Sequence, residues 1–384
     1  MNLLQPMTIV GLLATGMGVA LLGSVKLPLA RKLQIDEARV GGMVSMFGFA
    51  MIPTMLFVGF ITDLVGKQPV VISGPLLMTA SLILFAVSRT YWPALLAVLL
   101  LSVGWATLIN VINPLSLFAF PGGTEAYAIN LACFFFGLGA FLTPLAVAFL
   151  LRRVDLTAAL LVLAIFVVLT ALLALGVDFS ALAPAAGQEA VATSAGVGMA
   201  TLLGASVMWL CALGLFFYAP MEATMAAWAT TYLGDKGVRE GAASGLLSAF
   251  WLVFTGSRLA TAFALPKGSE TLLVLVLSLV CVAVWAAVVF SRGRGVAAAM
   301  VVTAGLVFGP IFPTIMAVLL KYTDPSLHGR AVGLFFAIGG VGWTAIPMLI
   351  GAYAQRKGVQ RGFLLAGVSA IGLCVIAFLL MTAL

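Results

Sequence analysis

Residues 156–177 read LTAALLVLAIFVVLTALLALGV and contain no charged side chain. A helix rises about 1.5 Å per residue, so this stretch is long enough to cross the roughly 30 Å of hydrocarbon in a bilayer. No water reaches backbone groups inside the hydrocarbon, and a helix satisfies those groups within its own segment. The stretch therefore predicts a membrane-spanning helix.

Comparable apolar stretches fill most of the remaining chain. Twelve spans, numbered here in chain order, are predicted at 7–29, 39–61, 70–89, 93–118, 128–151, 156–177, 201–232, 243–265, 271–290, 296–320, 331–354 and 363–383. Hydrophobic residues make up 63% of the sequence and charged residues 8%, against about 45–50% and about 25% in soluble domains. The runs lack the apolar–polar alternation of a transmembrane β-barrel. The sequence therefore predicts an all-α polytopic membrane protein.

The longest stretch between spans divides the chain into two halves. Residues 178–200, DFSALAPAAGQEAVATSAGVGMA, are rich in Ala, Gly and Ser and predict a central linker between six-helix bundles at 1–177 and 201–384. Paired helix interruptions in two halves indicate a transporter with its site between repeats, although Pro and Gly are also common in membrane helices generally. The pairs are Asn113-Pro114 with Gly309-Pro310, Gly59 with Gly256, and Pro144 with Pro347.

The stretch that joins spans 2 and 3 carries a specific signature. It reads Gly59-Phe-Ile-Thr-Asp63-Leu-Val-Gly66-Lys67. It resembles the G-x-x-x-D-x-x-G-[KR] signature of the major facilitator superfamily, which joins helices 2 and 3 on the cytoplasmic side. The usual Arg after the Asp is Leu64 here. The resemblance implies two pseudo-symmetric six-helix bundles, a cytoplasmic linker, and structural or gating roles for Gly59, Asp63, Gly66 and Lys67. The Asp63 carboxylate is expected to cap the next helix or to pair with a basic group across the interface between the halves.

Further stretches, in the same order along the chain, resemble the fucose–proton symporter branch of that superfamily. They are Asn113-Pro114-Leu115 in span 4, Asn130-Leu131-Ala132 in span 5, Tyr218-x-x-x-Glu222 with Trp228 and Tyr232 in span 7, Gly256-Ser257-Arg258 in span 8, and Phe312-Pro313-Thr314 in span 10. The two acidic residues of the branch in helices 1 and 4 are replaced by Ser24 and Ile109. Symport of fucose and protons is therefore not implied.

Three charged residues within predicted spans are candidates for transport chemistry. Glu222 is the candidate coupling carboxylate, because acids inside a membrane are costly and are retained where they are used; a structural carboxylate bonded to a neighbouring helix is the alternative. Lys26 either pairs with Glu222 or substrate, or extends to the interface. Arg258 either clamps an anionic group or forms a structural salt bridge, and the resemblance favours the structural role.

Recognition of a sugar-like solute needs amides and hydroxyls beside aromatic faces. The candidate residues are Asn110, Asn113, Asn130, Tyr218, Trp228, Thr314 and Trp343, together with Glu222 and Lys26. Polar side chains also join membrane helices to one another, so we expect only part of this set to contact substrate. The single histidine, His328, is predicted to be a solvated loop residue. No metal site, no cofactor and no enzyme activity are predicted.

The distribution of basic residues conflicts with the topology that the resemblance implies. With both termini in the cytoplasm, the outer loops hold thirteen Lys and Arg residues and the inner loops hold four, namely Lys67, Lys267, Lys321 and Arg330. This is the reverse of the positive-inside rule. A basic outer face would concentrate anionic solutes, which makes an acidic substrate a second expectation.

The sequence predicts a secondary active transporter that moves a small polar solute, a sugar or sugar derivative, by alternating access with proton coupling through Glu222. The alternative is an organic-anion carrier or uniporter that uses Lys26 and Arg258. A membrane scaffold or sensor without transport activity is the third interpretation. The predicted partners are the solute, protons and membrane lipid, with no nucleic acid. The protein is expected to be a monomer in a bacterial inner membrane.

Overall fold

A computed structural model describes residues 3–180 and 195–384. Within these residues, twelve helices have the length and apolar composition of membrane spans. Spans 1 to 12 are Leu4–Ser24, Glu37–Val65, Lys67–Val87, Tyr91–Ala119, Glu125–Leu151, Leu156–Leu175, Ser206–Asp235, Glu240–Ala264, Glu270–Phe290, Arg294–Lys321, His328–Lys357 and Val359–Ala383. Shorter helices, Lys26–Leu33 and Ala195–Gly204, precede spans 2 and 7. The predicted all-α, twelve-span fold is confirmed.

The described residues fall into two compact units. The first unit takes in the described parts of Met1–Gly122 and Ala132–Met199, together with Pro325–Leu334. The second unit comprises Gly123–Leu131, Ala200–Asp324 and Phe335–Leu384. The beginning of span 5 thus belongs to the second unit, and the beginning of span 11 belongs to the first.

Span 1 ends earlier than the hydropathy of the sequence predicts. The helix stops at Ser24 because Pro28, which has no N–H, cannot donate to the Ser24 carbonyl. A second helix then runs from Lys26 to Leu33. Lys26 therefore lies beyond the helix that forms span 1, and its predicted position inside that span is wrong.

Span 7 also begins later than predicted. Residues 201–204 belong to the short helix Ala195–Gly204, and the extended backbone of Ala205 separates this helix from Ser206–Asp235. Residues 181–194, which make up most of the predicted linker, lie outside the described residues. The predicted boundary between the two halves therefore stays a prediction.

Span 10 is interrupted where the sequence places Gly309-Pro310. Its two helices are Arg294–Phe308 and Ile311–Lys321. Pro310 and Pro313 carry no N–H, so the carbonyls of Leu306 and Gly309 lose the donors that a regular helix would supply. Each freed carbonyl must find another partner inside the hydrocarbon.

The two halves repeat with an offset of 203 residues. Spans 4, 5 and 6 begin at Tyr91, Glu125 and Leu156, and spans 10, 11 and 12 begin 203 residues later in each case. Pro144 and Pro347 are equivalent in this register, as the sequence suggests. The other two pairs, Asn113 with Gly309 and Gly59 with Gly256, are separated by 196 and 197 residues and are not equivalent positions. These pairs match in residue type but not in position, because proline and glycine occur at different depths in the two halves.

Backbone contacts occur at equivalent places in both units. A Cβ built on Gly139 of span 5 would lie 2.2 Å from the Leu13 carbonyl oxygen, and one on Gly342 of span 11 would lie 2.2 Å from that of Phe216. Both glycines permit close helix packing of the kind common in membranes. The same register therefore relates the packing of spans 1 and 5 to that of spans 7 and 11.

Lys32 caps the end of span 3 in the first unit. Its Nζ donates to the carbonyls of Phe85 and Ala86 and to Thr157 Oγ1 of span 6. The last carbonyls of a helix have no intrahelical donor, and a cation there also complements the helix dipole. Burial lowers the pKa of Lys32; nearby Asp155 opposes this shift and Arg89 adds to it.

Lys236 takes the equivalent place in the second unit. Its Nζ donates to the Ser291 carbonyl at 2.7 Å and to Gln360 Oε1 of span 12 at 2.8 Å. The Gln360 amide in turn donates to the carbonyls of Val289 and Ser291, each at 2.8 Å. In both units a lysine that follows the first span thus joins the end of the third span to the start of the sixth.

Lys236→Met should destabilise the protein by on the order of 1 kcal/mol, because it removes two charge-assisted hydrogen bonds, one to the Ser291 carbonyl and one to Gln360 Oε1. Thermal unfolding of the purified protein in detergent measures the effect. Lys357→Met, at an exposed lysine, is the matched control and should leave the midpoint unchanged. Equal midpoints for the two variants would contradict the capping role.

Candidate functional site

The second unit holds a hydrogen-bonded pair, Tyr218 and Glu222, in the middle of span 7. The residues are one helical turn apart, so their side chains lie on the same face. The Tyr218 hydroxyl donates to Glu222 Oε2 at 2.7 Å. Tyr218 is fully buried, whereas Glu222 is only partly buried. Span 7 therefore carries an acid that a neutral hydroxyl holds in place.

Arg258 of span 8 lies near this pair and contacts span 10. Its Nε donates to the Gly309 carbonyl at 2.9 Å, and its guanidinium stacks over the ring of Phe254 at 4.2 Å from the centroid. Its charge acts on both Tyr218 and Glu222. Only 3% of Arg258 is exposed. These contacts favour the structural interpretation of Arg258.

A second polar pair in this unit joins spans 5 and 10. Asn130 Nδ2 donates to Thr314 Oγ1 at 3.3 Å and to the Ala126 carbonyl at 2.9 Å. Both side chains are fully buried. The Oδ1 atom of Asn130 has no hydrogen-bond partner among the described residues. This acceptor is therefore buried without a protein donor in the described part of the chain.

The aromatic candidates of the second unit differ in exposure. Trp228 is partly buried, and a Cβ on Gly351 of span 11 would lie 3.4 Å from its ring. Trp343 is 40% exposed. The hydroxyl of Tyr232 donates to the Val288 carbonyl at 3.0 Å, so it takes part in the helix-end cluster around Lys236. Of these three, only Tyr232 has a clear structural role.

In the first unit, Asp63 binds the beginning of span 11. Its two carboxylate oxygens accept the backbone N–H groups of Gly329 and Arg330 at 2.8 and 2.9 Å. The Arg330 Nε lies 3.4 Å from Asp63 Oδ2, and its guanidinium stands over Phe60. Asp63 thus caps the N-terminus of span 11 and not that of the next helix, span 3, and it pairs with a basic group, Arg330.

Close glycine packing makes this junction possible. A Cβ on Gly59 would lie 2.5 Å from the Gly329 carbonyl oxygen, and one on Gly333 would lie 2.5 Å from that of Met55. Gly66 has φ +85 at the end of span 2, a conformation that favours glycine. Lys67 begins span 3 and stands 5.0 Å from the ring centroid of Phe118.

Asn110 belongs to the junction around Asp63. Its Nδ2 donates to the Gly329 carbonyl at 3.1 Å, and its Oδ1 accepts from Thr62 at 3.2 Å. Asn110 and Asn113 are both predicted to contact solute, but protein partners occupy both ends of the Asn110 amide. Asn113 Nδ2 donates to the Ile109 carbonyl within span 4. Lys26 lies in the first unit and Glu222 in the second, and their pairing stays a prediction.

Two residues of the junction were missed as site residues. Arg330 was counted as a loop residue, and His328 was expected to be solvated, yet both are buried at the beginning of span 11. Burial of His328 shows that the solvated prediction is wrong. The Gly329–Gly333 spacing, which brings helix backbones together, is the signal that marks this segment as packed.

These features define an integral multi-pass membrane protein of the transporter class. The sequence profile of the Major Facilitator Superfamily matches residues 8–347, and the chain belongs to this superfamily. The resemblance drawn from the loop signature is therefore confirmed. Membership of a transporter superfamily also agrees with the prediction that the chain is not an enzyme.

Several solved structures share the fold across nearly the whole chain. The E. coli fucose:proton symporter FucP has a TM-score of 0.80 and 16% identity over 99% of both chains. The human organic anion transporter MFSD10 (TETRAN) has a TM-score of 0.76 and 15% identity, covering 98% of this chain and 99% of that one. The proton:xylose symporter XylE has a TM-score of 0.78 and 12% identity, covering 99% and 95%. Identities this low establish the fold alone.

One curated relative is similar in sequence over part of its length. Bypass of stop codon protein 6 of Saccharomyces cerevisiae is 31% identical over 179 residues. These residues cover 44% of this chain and 36% of the yeast protein, so the match spans about a third of that relative. Its name identifies no solute.

Gly59→Ala should destabilise the protein by about 1–3 kcal/mol, because the added methyl group would overlap the Gly329 carbonyl and force the helices apart. Gly42→Ala is the matched control in the same helix, since its Cβ would meet nothing within 4 Å. Alanine also has the higher helix propensity, so the control should be neutral or stabilising. Thermal unfolding in detergent tests the contrast, and a neutral Gly59→Ala would refute the close packing of this junction.

Proposed function

We propose that the protein is a secondary active transporter that moves a small polar solute, a sugar or sugar derivative, by alternating access. Protons are the proposed coupling ion, and Glu222 is the proposed coupling carboxylate. The observation that carries this proposal is the bond between the Tyr218 hydroxyl and Glu222 in the middle of a membrane span. Acids at such positions are rare and costly, and they commonly serve transport.

The geometry suits a carboxylate that gains and loses a proton. Glu222 is only partly buried, and coupling requires that water reach its carboxylate during the transport cycle. The Tyr218 hydroxyl donates to one oxygen, Oε2, and it can donate equally well to the carbonyl oxygen of a protonated carboxyl group. The side chain therefore keeps its position in both protonation states.

The proposed solute class rests on polar side chains in both units. Asn113 bonds to the Ile109 carbonyl through Nδ2, whose second hydrogen, like the Oδ1 acceptor, is suited to a hydroxyl partner. Asn130 has an unpartnered acceptor beside Thr314. Trp228 and Trp343 are the proposed aromatic faces. FucP and XylE, which share the fold, are proton symporters of fucose and xylose, and this agrees with the proposal.

The alternative is an organic-anion carrier or uniporter that uses Lys26 and Arg258. An organic anion transporter shares the fold, and the predicted basic outer face would favour anions. The burial of Arg258 and its contacts with Gly309 and Phe254 weigh against a direct role in anion binding. Uptake that is insensitive to neutralisation of both residues would exclude this alternative. A membrane scaffold or sensor without transport activity is the least favoured function.

The remaining proposals concern the setting of the protein. We propose a bacterial inner membrane and a monomer that contacts lipid and no nucleic acid. The yeast relative points to a eukaryotic source as the competing possibility. The orientation of the basic loops is the simplest property to measure, since labelling of single cysteines from either side reports it directly.

Glu222→Gln should abolish pH-driven accumulation of solute while solute exchange partly persists, because glutamine keeps the shape of the acid but cannot bind and release a proton. Uptake and counterflow in proteoliposomes, with and without a pH gradient, measure the two activities. Glu240→Gln, at the exposed first residue of span 8, is the matched control and should behave as wild type. Undiminished uphill uptake by Glu222→Gln would refute the coupling role.

A solute that binds the folded protein should raise its thermal midpoint, because binding to the folded form alone stabilises it. Sugars, sugar acids and other organic anions, and nucleosides make up the test panel. A shift with neutral sugars that is lost in Asn130→Ala supports the sugar proposal. Shifts confined to organic anions would support the alternative.

A further inference from the structure

We propose that Arg258 is a positioning residue through which the charge of Glu222 controls the interruption of span 10. The inference rests on the proposed coupling role of Glu222 and adds a route from that acid to the interrupted helix of span 10. It assigns Arg258 neither to the solute nor to the proton itself. Arg258 makes its contacts with Gly309 and Phe254 within the second unit.

The Gly309 carbonyl needs a donor from outside its own helix. In a regular helix it would accept the N–H of residue 313, but Pro313 has none. Arg258 Nε supplies the missing hydrogen bond at 2.9 Å. The close approach of the helices permits this, because a Cβ on Gly309 would lie 2.3 Å from the Phe254 carbonyl oxygen. A side chain of span 8 thus replaces a backbone donor of span 10.

Arg258 is also the basic residue whose charge acts on Glu222 and Tyr218. Cys281 of span 9, a buried and neutral thiol, is another titratable side chain near Tyr218. The other charged residues of the helices around span 7 lie at or near helix ends. Among the described helical residues of the second unit these are Glu125, Asp235, Glu240, Glu270, Arg294, Lys321, Arg356, Lys357 and Arg361. Glu222 is therefore the acid best placed to change the field at Arg258.

Protonation changes how firmly Arg258 holds span 10. A hydronium ion transfers one proton to the carboxylate, an O–H bond forms on Glu222, and one water molecule is released. The negative charge that attracts the guanidinium disappears, while the Gly309 carbonyl dipole is unchanged. With Glu222 neutral, the Gly309 carbonyl no longer competes with a carboxylate for the Arg258 guanidinium. The hydrogen bond between Arg258 and Gly309 is therefore stronger when Glu222 is protonated, and it stabilises span 10 at its interruption.

Hydrogen exchange of the full-length protein in detergent tests this route without any solute. After correction for intrinsic exchange rates, the amides of residues 305–314 should exchange about fivefold or more slowly at mildly acidic than at mildly alkaline pH, as expected for a coupling of about 1 kcal/mol. Glu222→Gln should exchange slowly at both pH values. Arg258→Lys, which keeps the charge but loses the planar fork, should show a weaker pH dependence.

Pro313→Ala is the sharpest variant, because alanine restores the N–H that can donate to the Gly309 carbonyl and makes the Arg258 bond unnecessary. It should fold normally and lose the pH dependence of exchange in span 10. Pro347→Ala, which restores an N–H in span 11 of the same unit, is the matched control and should keep it. Wild-type exchange without pH dependence, or full pH dependence in Pro313→Ala or Glu222→Gln, would overturn the inference.

Transport assays separate this inference from the proposed function. Full pH-driven uptake by Glu222→Gln would remove the coupling role and with it this inference, whatever the exchange data show. A different result is that Glu222→Gln loses uptake while Pro313→Ala behaves like wild type in both uptake and exchange. That result would overturn the inference and leave the coupling role intact. Reduced pH-driven uptake in Pro313→Ala, with solute binding retained, supports the route.

Discussion

A proline inside a membrane span leaves the carbonyl four residues earlier without its helical donor, and no water in the hydrocarbon replaces that donor. The response of the protein to this constraint differs from place to place. The helix ends at Ser24, four residues before Pro28. At Gly309, four residues before Pro313, Arg258 supplies the hydrogen bond. The carbonyl oxygen of Phe216, four residues before Pro220, packs against the backbone of Gly342. At these three positions the helix end, the buried cation and the close glycine contact each accompany a proline.

The two units solve equivalent packing problems with different side chains. Ser102 donates to the Phe47 carbonyl at 2.8 Å in the first unit. In the second unit Gly305 stands at the equivalent position, and a Cβ there would lie 2.3 Å from the Phe250 carbonyl oxygen. The hydrogen bond from the Ser102 hydroxyl in one half thus corresponds to a backbone contact at Gly305 in the other. Such a contact is expected where small residues allow helices to approach closely. The geometry of the repeat is retained although the sequence similarity has become weak.

Features that depend on hydropathy or on the spacing of nearby residues could be predicted from the sequence. The twelve spans follow from runs of apolar residues, the superfamily from the loop signature, and the interruption of span 10 from Gly309-Pro310. The partners of Asn110 and Arg330 could not be predicted, because each depends on a residue more than 200 positions away, such as Gly329 for Asn110 and Asp63 for Arg330. Lys26 was misplaced because hydropathy does not register the missing N–H of Pro28. The contact between Tyr218 and Glu222 follows directly from their spacing on one helix.

The acids in the spans differ in what protonation would disturb. Asp63 accepts two backbone N–H groups and pairs with Arg330, and Glu270 pairs with Lys321 at 3.6 Å, so a proton on either acid would weaken an ion pair that holds helices together. The hydrogen bond that holds Glu222 comes from a hydroxyl, which tolerates either protonation state. A proton on Glu222 therefore changes the field at Arg258 without displacing the carboxyl group itself. This difference, more than burial alone, separates an acid suited to coupling from acids that serve structure.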